Sequence, residues 1–376
     1  MSRTLNTLKL GAAAILTSVA LLASPVFAAE EKAATPNEMA RFLAGLPAAD
    51  GTPMAAYNKH PSWAGHARAM DATWRSLQQR QLPKIAAFSK ANLAIRQPTT
   101  YYMFSGPDFL YANAFFPGSK TYVMSGLEPV GRLPESKFVN ARNVGGLTGH
   151  LQSSIGAITR VSFFLTKQMS YQLRATQFNG TLPILLTFLA RADKTVTDVS
   201  FLTIDAEGKA KDSDGTPQAN VPNGVKISFK GEGGEEQTLY YFSTDVSNGG
   251  VKNTGFLKFC ETLGPGDAFV KSASYLMHSD SFSTVREFLL ANANTILQDD
   301  TGVPVRYFKR EDWDLRPYGR YLGPIPLFSG RYQRDLAELF RKGHATPIEF
   351  GAGYRWMPNE SNLLIASKQQ KKAEKQ

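Results

Sequence analysis

Three groups of residues combine side chains of the kinds that move protons, attack carbonyls or hold charged ligands. The first is the run Ser105-Gly106-Pro107-Asp108 together with Glu128. Its two carboxyl groups can give or take a proton, and its hydroxyl is a nucleophile once a base activates it. Around Ser105 the Gly-x-Ser-x-Gly pattern of a nucleophile elbow is missing, so capping or hydrogen bonding is the simpler role for that serine. The second group is His278-Ser279-Asp280 with Asp299-Asp300, an imidazole near carboxylates that suits a general base or part of a metal site. Neither spacing defines a metal site, none is assigned, and Asp299-Asp300-Thr301-Gly302 also reads as the end of a helix entering a loop. The third is residues 303–356, where ten basic side chains face six acidic ones with eleven aromatics interleaved. Arg316 and Arg320 fall outside any helical period, in an expected loop over 316–321, and guanidinium forks beside aromatic faces suit a carboxylate or phosphate.

These groups must be positioned by the elements around them. Residues 99–104 are aromatic and β-branched and predict a strand; 109–116 predict a helix, and 120–125 a second strand. Ser105 to Asp108 then lies at the carboxyl end of a strand, where open α/β sheets bind ligands, and Asp108 can cap the helix that follows. Glu128, about 20 residues on, follows the next strand, where an acidic group binds ribose hydroxyls. In this the arrangement is similar to nucleotide-binding methyltransferases and dehydrogenases. It departs from them in having one glycine in place of a glycine-rich loop, and in Pro107, which lacks an N–H.

Elsewhere, Trp63, Ala67, Met70, Trp74 and Leu77 recur at helical spacing, and Pro83 marks a break or restart, so residues 29–95 are expected to be helical. Helices are expected over 151–166 and 182–192 and a strand over 196–205, while 160–174 fits either state. A turn-rich stretch from 206 to 236 separates an α/β lobe at 96–210 from a second at 211–367, ahead of a basic tail at 368–376. In that stretch Asp212-Ser213-Asp214-Gly215 lacks the further oxygen ligands of a calcium loop and reads as a turn.

The second lobe echoes the first. Residues 239–245 repeat the pattern of 100–108, giving Ser243 and Asp245 the place of Ser105 and Asp108, and 274–278 stand where 122–125 stand. The expected fold is α/β, with an N-terminal helical region followed by two sequential lobes, either duplicated or alike by chance. A late strand is expected through Ile348, Phe350, Tyr354 and Trp356, and a helix over 331–342.

Residues 1–28 read as an export leader: Arg3 and Lys9, an apolar run over 10–23, and Val26-Phe27-Ala28 before a cleavage point after Ala28. The apolar run is shorter than the roughly 20 residues that span a bilayer, so no transmembrane segment is expected in the mature chain, and a periplasmic location is. The formal charge of +10 loses two units with the leader and three with the tail, leaving +5 for residues 29–367. With no binding motif, nucleic acid is not an expected partner. Cys260, the single cysteine, permits no internal disulfide and sits in an apolar run as a small core residue.

YYMFSGPDFLYAN at 101–113 with Leu127-Glu128-Pro129, SYLMH at 274–278 and ILQDDTGVP at 296–304 resemble an uncharacterised family of exported bacterial proteins, over most of residues 95–360. The resemblance implies export and an α/β body, and it supplies no reaction, cofactor or catalytic residue. The residues themselves lead to two expectations. One is a small anionic or polar ligand held in a crevice between lobes by Ser105, Gly106, Ser243, Asp245, Arg316 and Arg320. The other is a hydrolase or transferase drawing acid–base work from Asp108, Glu128, His278 or Asp299. An envelope scaffold is a third reading. The sequence specifies no cofactor and no oligomeric state.

Overall fold

The structure, a computed structural model, describes residues 33–93, 96–163, 179–231 and 233–369. Residues 1–28, expected to be an export leader, most of the basic tail and most of the ambiguous stretch 160–174 lie outside the described residues. Ala33–Gln376 forms one compact unit.

Its framework is a ten-stranded sheet. In chain order the strands are β1 (Thr99–Tyr102), β2 (Thr121–Gly126), β3 (Thr195–Ile204), β4 (Ala210–Ser213), β5 (Asn223–Lys230), β6 (Glu236–Ser243), β7 (Gly266–Val270), β8 (Ala293–Gln298), β9 (Trp313–Gly319) and β10 (Asn362–Lys368). In space they run β4-β3-β5-β6-β2-β1-β7-β8-β10-β9. The five central strands, β6 to β8, are mutually parallel. Antiparallel strands extend both edges, β5, β3 and β4 on one side and β10 and β9 on the other. The segments 96–210 and 211–367 therefore share one sheet: β2 lies between β1 and β6, and β3 between β4 and β5.

Central strands are covered on both faces, and the two-residue period divides their side chains between two cores. Tyr102, Tyr122, Met124 and Phe269 join the core under the N-terminal helices. Tyr101, Val123, Ala268 and Val270 join the core under helices Phe256–Thr262 and Ser283–Asn292. Cys260 is buried in that second core, and burial pushes its thiol pKa up, as suits an inert packing residue.

The N-terminal region is helical, as expected: Pro36–Leu43, Pro61–Arg80 and Leu82–Asn92. Thr35 and Glu38 form a reciprocal capping box on the first helix. The stripe expected on the second buries Trp63, Met70 and Leu77. Pro83 is a restart, with Gln81 ending one helix and opening the next. Helix Leu182–Arg191 is buried throughout, and the helix expected over 151–166 spans Val144–Val161.

Three local expectations are corrected. Residues 274–278 are not a strand; the strand is β7, eight residues earlier, and Ser272, Ser274 and Tyr275 all adopt left-handed φ between 50 and 55° before a single 3-10 turn, Leu276–His278. Their apolar side chains are buried by loop packing, which an alternating pattern cannot distinguish from a strand. No strand forms through 348–356, where Gly351 and Gly353 interrupt the pattern; the last strand is β10. Arg316 lies within β9 rather than in a loop.

Candidate functional site

From β1 the chain order runs outward to β2 and β6 on one side, and to β7 and β8 on the other. The reversal between β1 and β7 opens a crevice at the carboxyl ends of the parallel strands, the usual ligand position in such sheets. Five strand ends converge there: residues 105–108 after β1, Glu128 after β2, 243–246 at β6, 271–275 after β7 and 299–301 after β8.

The turn after β1 is locked to β2. Ser105 N–H and Gly106 N–H donate to the Ser125 carbonyl at 3.0 and 3.2 Å, and the Ser105 hydroxyl donates to the same oxygen at 3.1 Å. Gly106 has φ +51°, a conformation that favours glycine. Gly126 allows the closest approach: a Cβ there would lie 2.4 Å from Glu128 Oε2 and 3.1 Å from Gly106 Cα. Glu128 borders the crevice, and the Tyr241 hydroxyl donates to the Glu128 backbone carbonyl at 2.9 Å.

Asp108 has both roles that its sequence position suggested, a helix cap and a buried carboxylate in the crevice. Its Oδ1 accepts from Tyr111 N–H at 3.1 Å, capping Phe109–Phe115, and its Oδ2 accepts from the Tyr102 hydroxyl at 2.9 Å. The Lys271 ammonium stands 3.0 Å from the same Oδ2, and both side chains are almost fully buried. Lys271 also donates to the Ser162 carbonyl and lies over the Tyr111 ring, 4.5 Å from its centroid. Burial pushes the Asp108 carboxyl above its usual range, while Lys271, Tyr111 N–H and Tyr102 pull the other way.

Two adjoining hollows open here. The larger, about 150 Å³, is lined chiefly by apolar groups such as Met103, Phe104, Leu276 and Phe282, with Glu128 and Asp245 at its polar side. The smaller, about 50 Å³, is polar and lined by Tyr102, Ser105, Asp108, Glu128 and Lys271. Phe104, Gly106, Glu128 and Ser272 border both. Ser272 has φ +54°, and its buried hydroxyl finds no hydrogen-bond partner among the described residues. A strained backbone holding an unsatisfied hydroxyl toward a hollow is costly, and such costs concentrate where ligands bind.

The other expected residues divide. Asp245 lines the larger hollow and turns the chain, accepting from Ser247 N–H and Ser247 hydroxyl, each at 2.8 Å. Ser243 borders a neighbouring, open hollow with Asn220 and Asn253. Asp299 is a buried support: its Oδ2 accepts from Ser272 N–H at 2.9 Å, fixing the strained turn, and its Oδ1 from Thr301 N–H at 2.9 Å. Burial raises its carboxyl pKa. Asp300 accepts from the Tyr275 hydroxyl at 2.6 Å, and burial, with the Asp299 charge beside it, pushes its carboxyl up to about 7.

His278 lines neither hollow. It packs edge-on against Tyr275, ring centroids 5.1 Å apart, and its Nε2 is buried without a partner among the described residues. Burial, then the charges of Arg331 and Arg306, lower its pKa to about 4, so the ring is neutral at physiological pH. Of the four residues expected to supply acid–base work, His278 is therefore not brought to the hollows that Asp108 and Glu128 line, the 3-10 turn at 276–278 lying past the end of β7. Arg316 and Arg320 do not join either. Arg316 is an exposed residue of the outermost strand, with Nε 2.7 Å from Asp314 Oδ2, and Arg320 is exposed just past that strand's end. Among the described residues no cluster of three or more His, Cys, Asp or Glu has the arrangement of a metal site.

Sequence reasoning missed Lys271 and Ser272. Both follow a five-residue strand whose Gly266-Asp267 start hid it, and a strand-end Lys-Ser pair has no motif of its own. Comparison with protein-family models, with curated proteins and with solved structures finds no match for the chain.

Proposed function

We propose that the protein binds a small polar molecule at the switch-point crevice, and that this molecule is a nucleoside with a neutral or cationic substituent. The observation that carries the reading is Ser272, which borders both hollows together with Glu128 and has a strained backbone and a hydroxyl without a partner among the described residues. The larger hollow has the size of cavities that accept one aromatic ring, and its apolar walls suit a planar base. Glu128, at the end of the second strand, has the position from which a carboxylate takes ribose hydroxyls. The smaller hollow receives the rest of the molecule near Ser105, Ser272 and the Asp108–Lys271 pair.

Charge decides what that rest is. Among the described residues, Asp108, Glu128 and Asp245 border the hollows, and the cation that borders them with these, Lys271, is paired with Asp108. An anionic ligand, and a polyphosphate above all, is disfavoured there, so the proposal departs from the anionic ligand expected with Arg316 and Arg320. Calorimetric titration with adenosine, S-adenosylmethionine and ATP tests it. Binding of either of the first two with little affinity for ATP, weakened about tenfold or more by Glu128→Gln, is the expected result. No heat with any of the three, or unchanged affinity in the variant, refutes it. Export belongs to the same proposal: Edman sequencing of the protein recovered from a bacterial periplasm should begin at Ala29.

A further inference from the structure

The described residues include six large apolar side chains that stand exposed, and four of them, Leu322, Leu327, Tyr332 and Met357, belong to one surface. Contacts tie that surface together. Tyr321 stacks on Tyr332 with centroids 5.8 Å apart, and Arg355 donates to the carbonyls of Gly323 and Pro324 at 2.8 and 3.2 Å, which brings the turn carrying Met357 beside the loop. Beneath, Phe328 packs on Tyr275 and Tyr354, at 5.1 and 5.7 Å. Phe328 thus anchors the loop while its neighbour Leu327, 81% exposed, faces solvent. Pro324 and Pro326 restrict the backbone on either side of Ile325, so the leucines are presented by a stiff loop rather than a frayed one.

The charge around these side chains has one sign in excess. Residues 320–357 carry six basic side chains against three acidic. Arg320 and Arg331 flank the apolar tip, are exposed, and form no ion pair among the described residues. We propose that this loop docks the protein on an anionic lipid surface, with Leu322 and Leu327 entering the acyl boundary, Tyr332 at the headgroup level and Arg320 and Arg331 on lipid phosphates. Separate protruding apolar side chains on a basic, aromatic-bearing loop match an interfacial anchor. A protein interface instead centres on a packed patch depleted in charge. No described helix is long and apolar enough to cross a membrane, so the contact is peripheral.

Flotation with vesicles tests this on residues 33–376, which form one compact unit by themselves and carry no apolar leader to bind lipid on its own account. Vesicles containing phosphatidylglycerol should float the protein, and pure phosphatidylcholine vesicles should float far less. Leu327→Asp, at a side chain too exposed to matter for folding, should lower the partition about tenfold or more. Arg331→Glu should weaken it on the anionic vesicles alone, and added salt should mimic that loss. Equal flotation of parent and Leu327→Asp overturns the proposal, as does absence of binding to both vesicles. Self-association in analytical ultracentrifugation that Leu327→Asp abolishes, without vesicle binding, overturns it in favour of a contact between copies.

Discussion

Replacing Lys271 by Met removes the ammonium that lies 3.0 Å from Asp108 Oδ2 and keeps most of the side-chain volume. Asp108 would then be a buried carboxylate with only the Tyr102 hydroxyl and Tyr111 N–H to satisfy it. Removing one partner of a buried ion pair costs about 3–5 kcal/mol, because the remaining charge is left uncompensated. The variant has an escape: Asp108 can take up a proton, its carboxyl already being raised by burial and losing the group that opposed the rise. A folded-state pKa above the unfolded one means that the folded state holds the extra proton between the two values. Stability of the variant therefore recovers as pH falls through the raised folded-state pKa towards the unfolded value. Urea denaturation of both proteins at a neutral and at an acidic pH should show the larger loss at the higher one. Asp108→Asn combined with Lys271→Met should regain much of the loss at the higher pH. A single-variant loss below about 1 kcal/mol, or one equal at both pH values, refutes the assignment of a tight buried pair.

Further outcomes follow from the same crevice. Asp300, pushed up to about 7 from its ordinary 3.8, makes the folded protein lose stability as pH rises between those values. Asp300→Asn should flatten that slope in thermal melts and be the more stable protein near about pH 8, by about 2–4 kcal/mol at most. Gly126→Ala forces a methyl group to within 2.4 Å of the Glu128 carboxylate; a loss of about 1–3 kcal/mol in chemical denaturation, with loss of nucleoside binding by calorimetry, is expected. His278, held near 4 by burial, should show no imidazole titration between about pH 5.5 and 7.5 in proton NMR.

The central parallel strands show how far the sequence carries. β1 and β2 were legible because their residues are β-branched or aromatic and the turn after β1 has distinctive chemistry. Residues of that turn, with Glu128 and Asp245, border the hollows at the crevice. β7 was not legible: Gly266-Asp267 broke its pattern, although Asp267 is buried and accepts from Gln97 N–H at 2.9 Å. With β7 misplaced, Lys271 and Ser272 went unnoticed and His278 was set at a strand end it does not occupy. The helical stripe over 63–77 held because each of its residues packs on one neighbouring surface. The spacing at 348–356 misled because a coil with two glycines buries Ile348 and Phe350 without a strand and leaves Tyr354 and Trp356 half-buried. Local composition also hid the interleaving of β2 with β6, which is set by contacts more than a hundred residues apart.

The place of β1 also governs when this chain can fold. Thr100 is paired on one side with Tyr122, which the ribosome makes soon after it, and on the other with Asp267, made 167 residues later. Pairings of that sequence separation are slow to form, since loop closure must precede the contacts that reward it. Until β7 is synthesised, β1 presents a bare hydrogen-bonding edge in the middle of the future sheet, and no stable intermediate of the first half can hide it. Fragments that stop before β7 should therefore aggregate rather than fold, since half of the β1 hydrogen-bonding edge lacks its partner.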